Sequence, residues 1–575
     1  MVSSTEVSLL VVQNHSSGMK ESRNTLAMIQ NKIIHGGVTL WVFFIIILLV
    51  VSIPLSEFGM SVSQFLLFGF WIFEGADFSF ASRTENQKLK NYLKALSDNL
   101  RGKFRMVISN HVLLVFLAIY VMHLIGLFYS ADLNYALNDL RVKLPLLSLP
   151  ILLASTKALN HSRLINILLF FCLSVIAASL ISLYVKVNLN ISDPREISVF
   201  ISHIRFGLFI SFSIFILLGF LVKNVYKSLL AKVSITLSII WLVVFLFILK
   251  SLTGIIITGL LLVALFIVYS LKRKKLFIPT ILLFSLLGFT FWHYISDIYK
   301  DVTVAKKVDF SQLEKLTPNG NPYVHDTAGY GIENGKYVGL YLSATELRNS
   351  WNNRSRLDYD GYDNKGQNLS HTLIRYLHSK GYRKDAEGVN KLSADEIRQI
   401  EDGVANANYL ESFNIRARIE QVLQGYKSYR FDKNPNASSF MQRIEYWKTS
   451  VYIIKNKPVF GYGTGDIQNV FDQAYNETNS ILLPEFRHRS HNQFFAIAIA
   501  FGLTGLLVFM FSLLYPAIYL RKLSNYYYFT FFIIAFISFL TEDTLETQAG
   551  VTFFAFFSAL LLFGVRKEVD DNSRI

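Results

Sequence analysis

Apolar residues along this chain come in long unbroken runs rather than in short stripes of helical or strand period. Val38–Leu55, Val107–Tyr129, Leu164–Tyr184, Val199–Val222, Val233–Leu249, Leu252–Leu271 and Phe494–Leu514 each carry few or no charges. A helix needs roughly 20 such residues to cross about 30 Å of hydrocarbon, so these runs predict membrane spans. With the shorter apolar stretches included, the pattern predicts about 12 helices, over 36–55, 58–75, 107–129, 142–157, 164–184, 199–222, 233–250, 252–271, 276–294, 492–519, 526–541 and 548–565. The stretches at 58–75 and 142–157 are short and are interrupted by Glu74 or by Pro145 and Pro150.

Residues 295–491 break the pattern. Apolar positions there scatter among Asn, Asp, Gly, Tyr and charged residues, and none forms a run of spanning length. A connector this long must have structure of its own. Ser393–Gly403 predicts a helix with Ser393 as N-cap and Glu396 closing a capping box. Tyr409–Tyr429 and Ser438–Lys457 predict two longer helices, the second stopped by Pro458. Asn319–Tyr341 holds too many turn residues for a helix and predicts short strands or a loop. The expected organisation is therefore a tail (1–35), a nine-helix membrane domain (36–294), one large and mainly helical loop domain (295–491), three further spans (492–565) and a second tail (566–575).

Charge fixes the orientation of this arrangement. The 575 residues carry a formal net charge of +15, which by itself could indicate a nucleic-acid partner. The basic residues, however, concentrate in alternate short connectors: Lys88 to Arg105, Lys157 and Arg163, Lys223 to Lys232, Lys272 to Lys275, Arg521 and Lys522, and Arg566 and Lys567. That is the positive-inside pattern. It assigns both termini to the cytoplasm and the 295–491 domain to the periplasm, and no nucleic-acid partner is expected. The single cysteine, Cys172, lies in an apolar run, so no intrachain disulfide forms. The first apolar run begins only near residue 38 and lacks a small-residue exit, so it is expected to remain as an anchor rather than be cleaved.

Four stretches carry candidate chemistry. Ser202-His203-Ile204-Arg205 opens the sixth predicted span at its outer end. An arginine there either meets an anionic ligand or snorkels to lipid phosphate. Arg443 and Trp447 are four residues apart and share a helix face that could hold a phosphate beside a flat sugar, although a solvated helix would look alike. Pro458 to Gly465 places glycines at 461, 463 and 465, which lets the backbone turn tightly and approach a ligand. It lacks the strand–turn–helix setting of a dinucleotide loop. Arg487-His488-Arg489-Ser490-His491-Asn492 forms a dense cationic cluster before the tenth span. Histidine can serve there as a general base. Asp358, Asp360 and Asp363 miss the spacing of a calcium loop, and no metal site is expected. The acidic last outer connector, Thr541–Gln548 with Glu542, Asp543 and Glu546, either orients the cationic cluster or a sugar hydroxyl, or is a plain exposed turn.

Taken in order, these features are an Arg heading a middle span, one long external loop, Arg-x-x-x-Trp, Pro-x-x-Gly-x-Gly, and His-Asn opening a span followed by Gly502-x-x-Gly505. The combination resembles the O-antigen ligase/polymerase superfamily of bacterial membrane glycosyltransferases, best over about 440–516 with support at 199–209 and 541–550. The resemblance implies an all-α, GT-C-like polytopic protein of the inner membrane with its active site on the periplasmic side. It implies an inverting, metal-independent transfer without cofactor, from undecaprenyl diphosphate to a lipid A–core sugar hydroxyl or another glycan acceptor. By motif position Arg205, Arg443 and His491 would be catalytic, and His203, Trp447, Arg487, Arg489, Asn492 and Glu542 would bind substrate. Fixed positive charge suits a diphosphate leaving group, and arginine can grip phosphate with two hydrogen bonds. An O-antigen polymerase and a protein O-oligosaccharyltransferase share the donor and differ in acceptor. A lipid-glycan flippase or transporter is the alternative from another class. The 320–435 stretch is a distinctive insertion and leaves the acceptor open.

Overall fold

The structure is a computed structural model. It describes residues 38–76, 85–189, 196–305, 307–333, 335–364, 366–410, 415–431, 433–436 and 438–565. The two predicted tails, with Arg566 and Lys567, lie outside these residues. The described residues are all-α apart from two small antiparallel ribbons, and they divide between two compact units. One comprises residues up to 269 with 446–479 and 488 onward; the other comprises 270–445 and 480–487.

In chain order the first unit runs α1 (Val38–Leu55), α2 (Glu57–Phe73), α3 (Glu85–Ser109), α4 (His111–Leu127), α5 (Leu133–Lys143) and α6 (Pro145–Ser155). It continues with α7 (His161–Asn188), α8 (His203–Val222), α9 (Leu229–Ile248) and α10 (Leu252–Lys272). The second unit holds α11 (Lys274–Thr303), α12 (Ala344–Asn352), α13 (Leu369–Ser379), α14 (Ala386–Asn390), α15 (Ala394–Glu401) and α16 (Ile415–Phe431). Helix α17 (Ser439–Asn456) leads back to the first unit, which ends with α18 (Ile467–Glu477), α19 (Gln493–Tyr519), α20 (Tyr526–Thr541) and α21 (Gln548–Ala559).

Each of the twelve predicted spans falls on a helix, but the helices differ in reach. Among the described residues, seven helices are long and apolar enough to cross a membrane, or eight if α3 and α4, bent by 87°, count as one span. Helices α2, α20 and the α21 region are apolar but shorter. Helix α6 has only 11 residues; it starts at Pro145 and contains Pro150, each of which removes a backbone donor.

Aromatic and small side chains set the packing of the first unit. Phe171, Phe209, Phe212, Phe531, Phe553 and Phe557 interlock with ring centroids 4.6 to 6.1 Å apart. Such tilted and edge-on pairs add directional stabilisation to apolar burial. Where α8 meets α10, Ser211 Oγ donates to the Gly254 carbonyl at 3.1 Å and Thr258 donates to Ser211 at 2.9 Å. A Cβ on Gly207 would stand 2.2 Å from Ser251 Oγ. Small residues let the two backbones approach, as expected for helices in lipid.

Helix α19 is broken at Gly502, which adopts φ 66° and ψ −169°. The gap is filled by the 458–465 loop. Tyr462 and Gly463 donate backbone N–H groups to Ile499 and Ala500, while Leu503 and Thr504 donate to Pro458 and Val459, at 2.8 to 3.4 Å. A Cβ on Gly502 would lie 2.1 Å from the Val459 carbonyl oxygen. The close backbone approach that the glycines foretold is therefore made to another stretch of backbone. Irregular main chain at membrane depth needs such partners.

In the second unit, β1 (Val324–Asp326) pairs with β4 (Gly339–Leu342), and β2 (Ile332–Glu333) with β3 (Lys336–Tyr337), both antiparallel. These are the short strands expected near 319–341. Its core gathers Trp351, Leu369, Leu373, Leu377, Val389 and Ile400. The predicted capping box is present: Ser393 and Glu396 bond reciprocally at the start of α15. The expected helix over 409–429 appears as a short turn, Ala407–Leu410, and α16.

Candidate functional site

His491 sits in the segment 488–492 that leads into α19. Its φ is 45°, in the left-handed region that a side-chain-bearing residue adopts rarely and at a cost of order 1 kcal/mol. Neighbours on both sides hold it there. Asn492 caps α19 by accepting from the N–H groups of Phe494 and Phe495 at 2.9 and 3.1 Å, and its amide donates to the Leu540 carbonyl. Trp447 donates its indole N–H to the Ser490 carbonyl at 3.1 Å, and Tyr475 donates to the His488 carbonyl at 2.6 Å. Backbone strain of this kind persists only where the surroundings over-determine it.

The imidazole faces carboxylates. Its Nδ1 lies 3.3 Å from Glu542 Oε2 and 4.0 Å from Asp543 Oδ1, and the Glu542 side chain is buried. With Nδ1–H donated to Glu542, Nε2 carries the lone pair and can accept a proton. The rings of Tyr446 and His488 lie 5.7 and 6.1 Å away. Burial, with His491 beside it, holds His488 below the usual imidazole range.

Beneath this pair lies a buried ionic network. Lys143, at the end of α5, donates to Asp139 one turn earlier and to Glu546 Oε2 at 2.9 Å, and is 1% exposed. Arg489 donates to the Tyr135 hydroxyl at 2.7 Å and stands 3.8 Å from Glu546. Gln493 bridges the same turn: it donates to Glu546 Oε1 at 3.3 Å and accepts from the Leu545 N–H at 2.8 Å. Burial opposes the Glu546 charge, but Lys143 and Arg489 hold its carboxyl down to about 2. Burial pushes Asp139 up to about 6 even with Lys143 beside it, and its Oδ2 has no hydrogen-bond partner. The network ties α5, the 489–493 segment and the 542–546 turn together, and so fixes where Glu542 meets His491.

Of the sequence-predicted residues, the structure brings His491, Asn492, Arg489, Trp447 and Glu542 into this one neighbourhood. Glu542 is not a plain exposed turn. Arg489 directs its guanidinium inward, to Tyr135 and Glu546. His203 and Arg205 stand in the first turn of α8, after Ser202 as N-cap. Arg205 Nε is buried and has no hydrogen-bond partner. An unpaired buried donor costs about 1–3 kcal/mol, which an anionic oxygen would remove. Arg443 and Arg487 belong to the second unit, where both are half-buried and Arg487 Nε donates to the Leu482 carbonyl at 3.1 Å.

Asp543 and Glu546 lie on the acidic 541–548 connector that the sequence offered as a partner of the cationic cluster, whereas Lys143, Asp139, Tyr135 and Tyr446 were not singled out from the sequence. The available signal was Lys143, an ionisable residue inside a predicted span with Asp139 one helical turn away. The carboxylates of the 358–363 stretch serve the fold: Asp360 pairs with Arg348 at 2.6 and 2.8 Å, and Asp363 accepts from Gln367 and Thr372. Among the described residues, His491, Glu542 and Asp543 form the group able to offer three ligand atoms to a cation, all within 4.8 Å of one another.

Comparison with known proteins agrees with the motif order. No curated protein matches the chain. Residues 402–510, which span α16 to the first two thirds of α19 and include Arg443, Trp447, Arg487 and His491, match the family Wzy_C, described as O-antigen ligase. The chain is thus a multi-pass membrane protein whose residues 402–510 match the O-antigen ligase family Wzy_C.

Proposed function

We propose that this protein is an O-antigen ligase-type glycosyltransferase that moves a glycan from a lipid diphosphate to a sugar hydroxyl of a lipid A–core acceptor, at the periplasmic face of the inner membrane. The observation that carries the reading is the His491–Glu542 pair, held beside the membrane helices within the family-matched segment or in contact with it. His491 Nε2 takes the proton from the acceptor hydroxyl as its oxygen attacks the anomeric carbon. The bond from that carbon to the diphosphate oxygen breaks, and the diphosphate leaves with the electron pair. It needs no proton, only fixed positive charge where the negative charge develops.

Arg205 is the donor best suited to that oxygen, since its Nε is buried without a partner. Arg443 is assigned the same role from its motif position, with His203, Trp447, Arg487 and Asn492 lining the substrates. Arg489 is assigned to holding the Glu546 turn. The reaction so written uses neither nucleotide nor cofactor, and its energy comes from the diphosphate linkage.

The test is His491→Ala in purified protein supplied with lipid-linked glycan and acceptor. Transfer should fall by at least about a hundredfold, the scale of a lost general base, with unfolding temperature preserved. Full activity in that variant refutes the assignment. Surface-glycan profiles after gene deletion separate the acceptors: free core with no long chains marks a ligase, and a single repeat on core marks a polymerase. Loss of protein-linked glycan marks an oligosaccharyltransferase.

A further inference from the structure

Helix α3 is unlike the other long helices of the first unit. It packs by one narrow stripe. Asn99 donates to the carbonyls of Ile72 and Glu74 at 3.0 and 3.2 Å. Lys103, 3% exposed, pairs with Glu74 at 3.2 Å and lies over the Trp71 ring. Beside that stripe, Leu89, Leu93 and Phe104 are 61%, 60% and 64% exposed. At 3.6 residues per turn these three fall within about 60° of one another. The next stripe holds Lys90, Lys94, Arg101 and Arg105, all exposed and again within about 60°.

The position of α3 gives this surface its neighbour. Asn110 caps α4 and the axis bends there by 87°, so α3 runs nearly across the direction of α4. Helix α19 starts beside His491, and its last turn places Tyr519 5.0 Å from His111, the first residue of α4. The start of α4, and with it α3, is therefore at the opposite end of α19 from His491. Arg521 and Lys522 follow α19 at that end, and the positive-inside rule makes it the cytoplasmic side.

We propose that α3 lies in the plane of the membrane as an interfacial helix and binds the anionic phospholipid of the cytoplasmic leaflet. Leu89, Leu93 and Phe104 enter the acyl boundary, and the four basic residues meet lipid phosphates. An apolar stripe flanked by Lys and Arg is the pattern that seats helices in an interface. Each basic residue close to an anionic leaflet strengthens the association about fivefold.

The test uses the full chain in proteoliposomes, with a spin label at Leu93→Cys or Asp98→Cys in a Cys172→Ser background. In vesicles of phosphatidylethanolamine with phosphatidylglycerol, the Leu93 label should be reached by oxygen and shielded from a water-soluble nickel chelate, with the reverse at Asp98. Replacing Lys90, Lys94, Arg101 and Arg105 by Gln, or omitting phosphatidylglycerol, should reduce the shielding at Leu93 several-fold. Free access of nickel at Leu93 in wild-type vesicles overturns the proposal. So does shielding from both reagents, which would mean that protein or a second copy covers the stripe. Shielding indifferent to anionic lipid and to the four substitutions overturns it as well.

Discussion

Lys143→Met tests the buried network most directly. The ammonium is 1% exposed and is shared by two buried carboxylates, Asp139 and Glu546. Glu546, held at about 2 against an ordinary 4.5, contributes stability that is fully present above about pH 4.5 and is lost as pH falls toward 2. Asp139, pushed up to about 6 from 3.8, acts against folding above pH 6 and is relieved as it protonates below that. At about 1.4 kcal/mol per unit the two opposite effects are each about 3 kcal/mol, so the intact cluster adds little net stability at neutral pH. Removing the lysine alone leaves two carboxylates buried without their shared cation, which costs about 3–5 kcal/mol. Both carboxyls should then protonate more readily, so the loss is largest near pH 8 and shrinks toward pH 5. Thermal unfolding of purified protein in detergent at both pH values reads this as a midpoint lowered by several degrees at pH 8 and by clearly less at pH 5. Adding Asp139→Asn and Glu546→Gln to Lys143→Met should restore much of the lost stability, because no charge is then stranded. A Lys143→Met protein as stable as wild type at pH 8, or equally damaged at both pH values, refutes the reasoning.

Further outcomes follow from other parts of the molecule. Arg205→Ala and Arg443→Ala should depress transfer more than Arg205→Lys and Arg443→Lys do, since lysine keeps the charge but not the planar fork; equal loss in the two series counts against phosphate contact. Activity of the purified protein should survive a divalent-cation chelator, and its abolition with recovery on adding metal would reassign His491, Glu542 and Asp543 to an ion. Gly502→Ala should destabilise the protein, because φ is 66° and the new Cβ would meet the Val459 carbonyl oxygen at 2.1 Å. Gly69→Ala in α2, where nothing lies within 4 Å, should be neutral or stabilising by up to about 1 kcal/mol in the same unfolding assay.

Along the chain, hydropathy determined where the helices are. Twenty apolar residues without charge have no stable alternative to a helix in lipid, so runs such as Leu164–Tyr184 and Val199–Val222 could be read directly. Helix ends with local signals were also legible: the Ser393–Glu396 box and the stop before Pro458 depend on residues within one turn. Arg205 stood out because a cation at an apolar edge is costly, Arg443 through the helix face it shares with Trp447, and His491 through its cationic cluster. Tertiary structure alone decided what those residues touch. Glu542 and Asp543 lie some fifty residues beyond His491, and Lys143 lies 403 residues before Glu546, so no local periodicity links them. The glycines of 458–465 illustrate the same limit. Their spacing announced a close backbone approach, but only the break of α19 at Gly502 shows that the approaching partner is main chain rather than ligand. Sequence determines such sites through steric and solvation rules that act within a turn or two. Contacts across hundreds of residues are settled by packing, where burial of Lys143 is tolerable only because two carboxylates arrive from elsewhere in the fold.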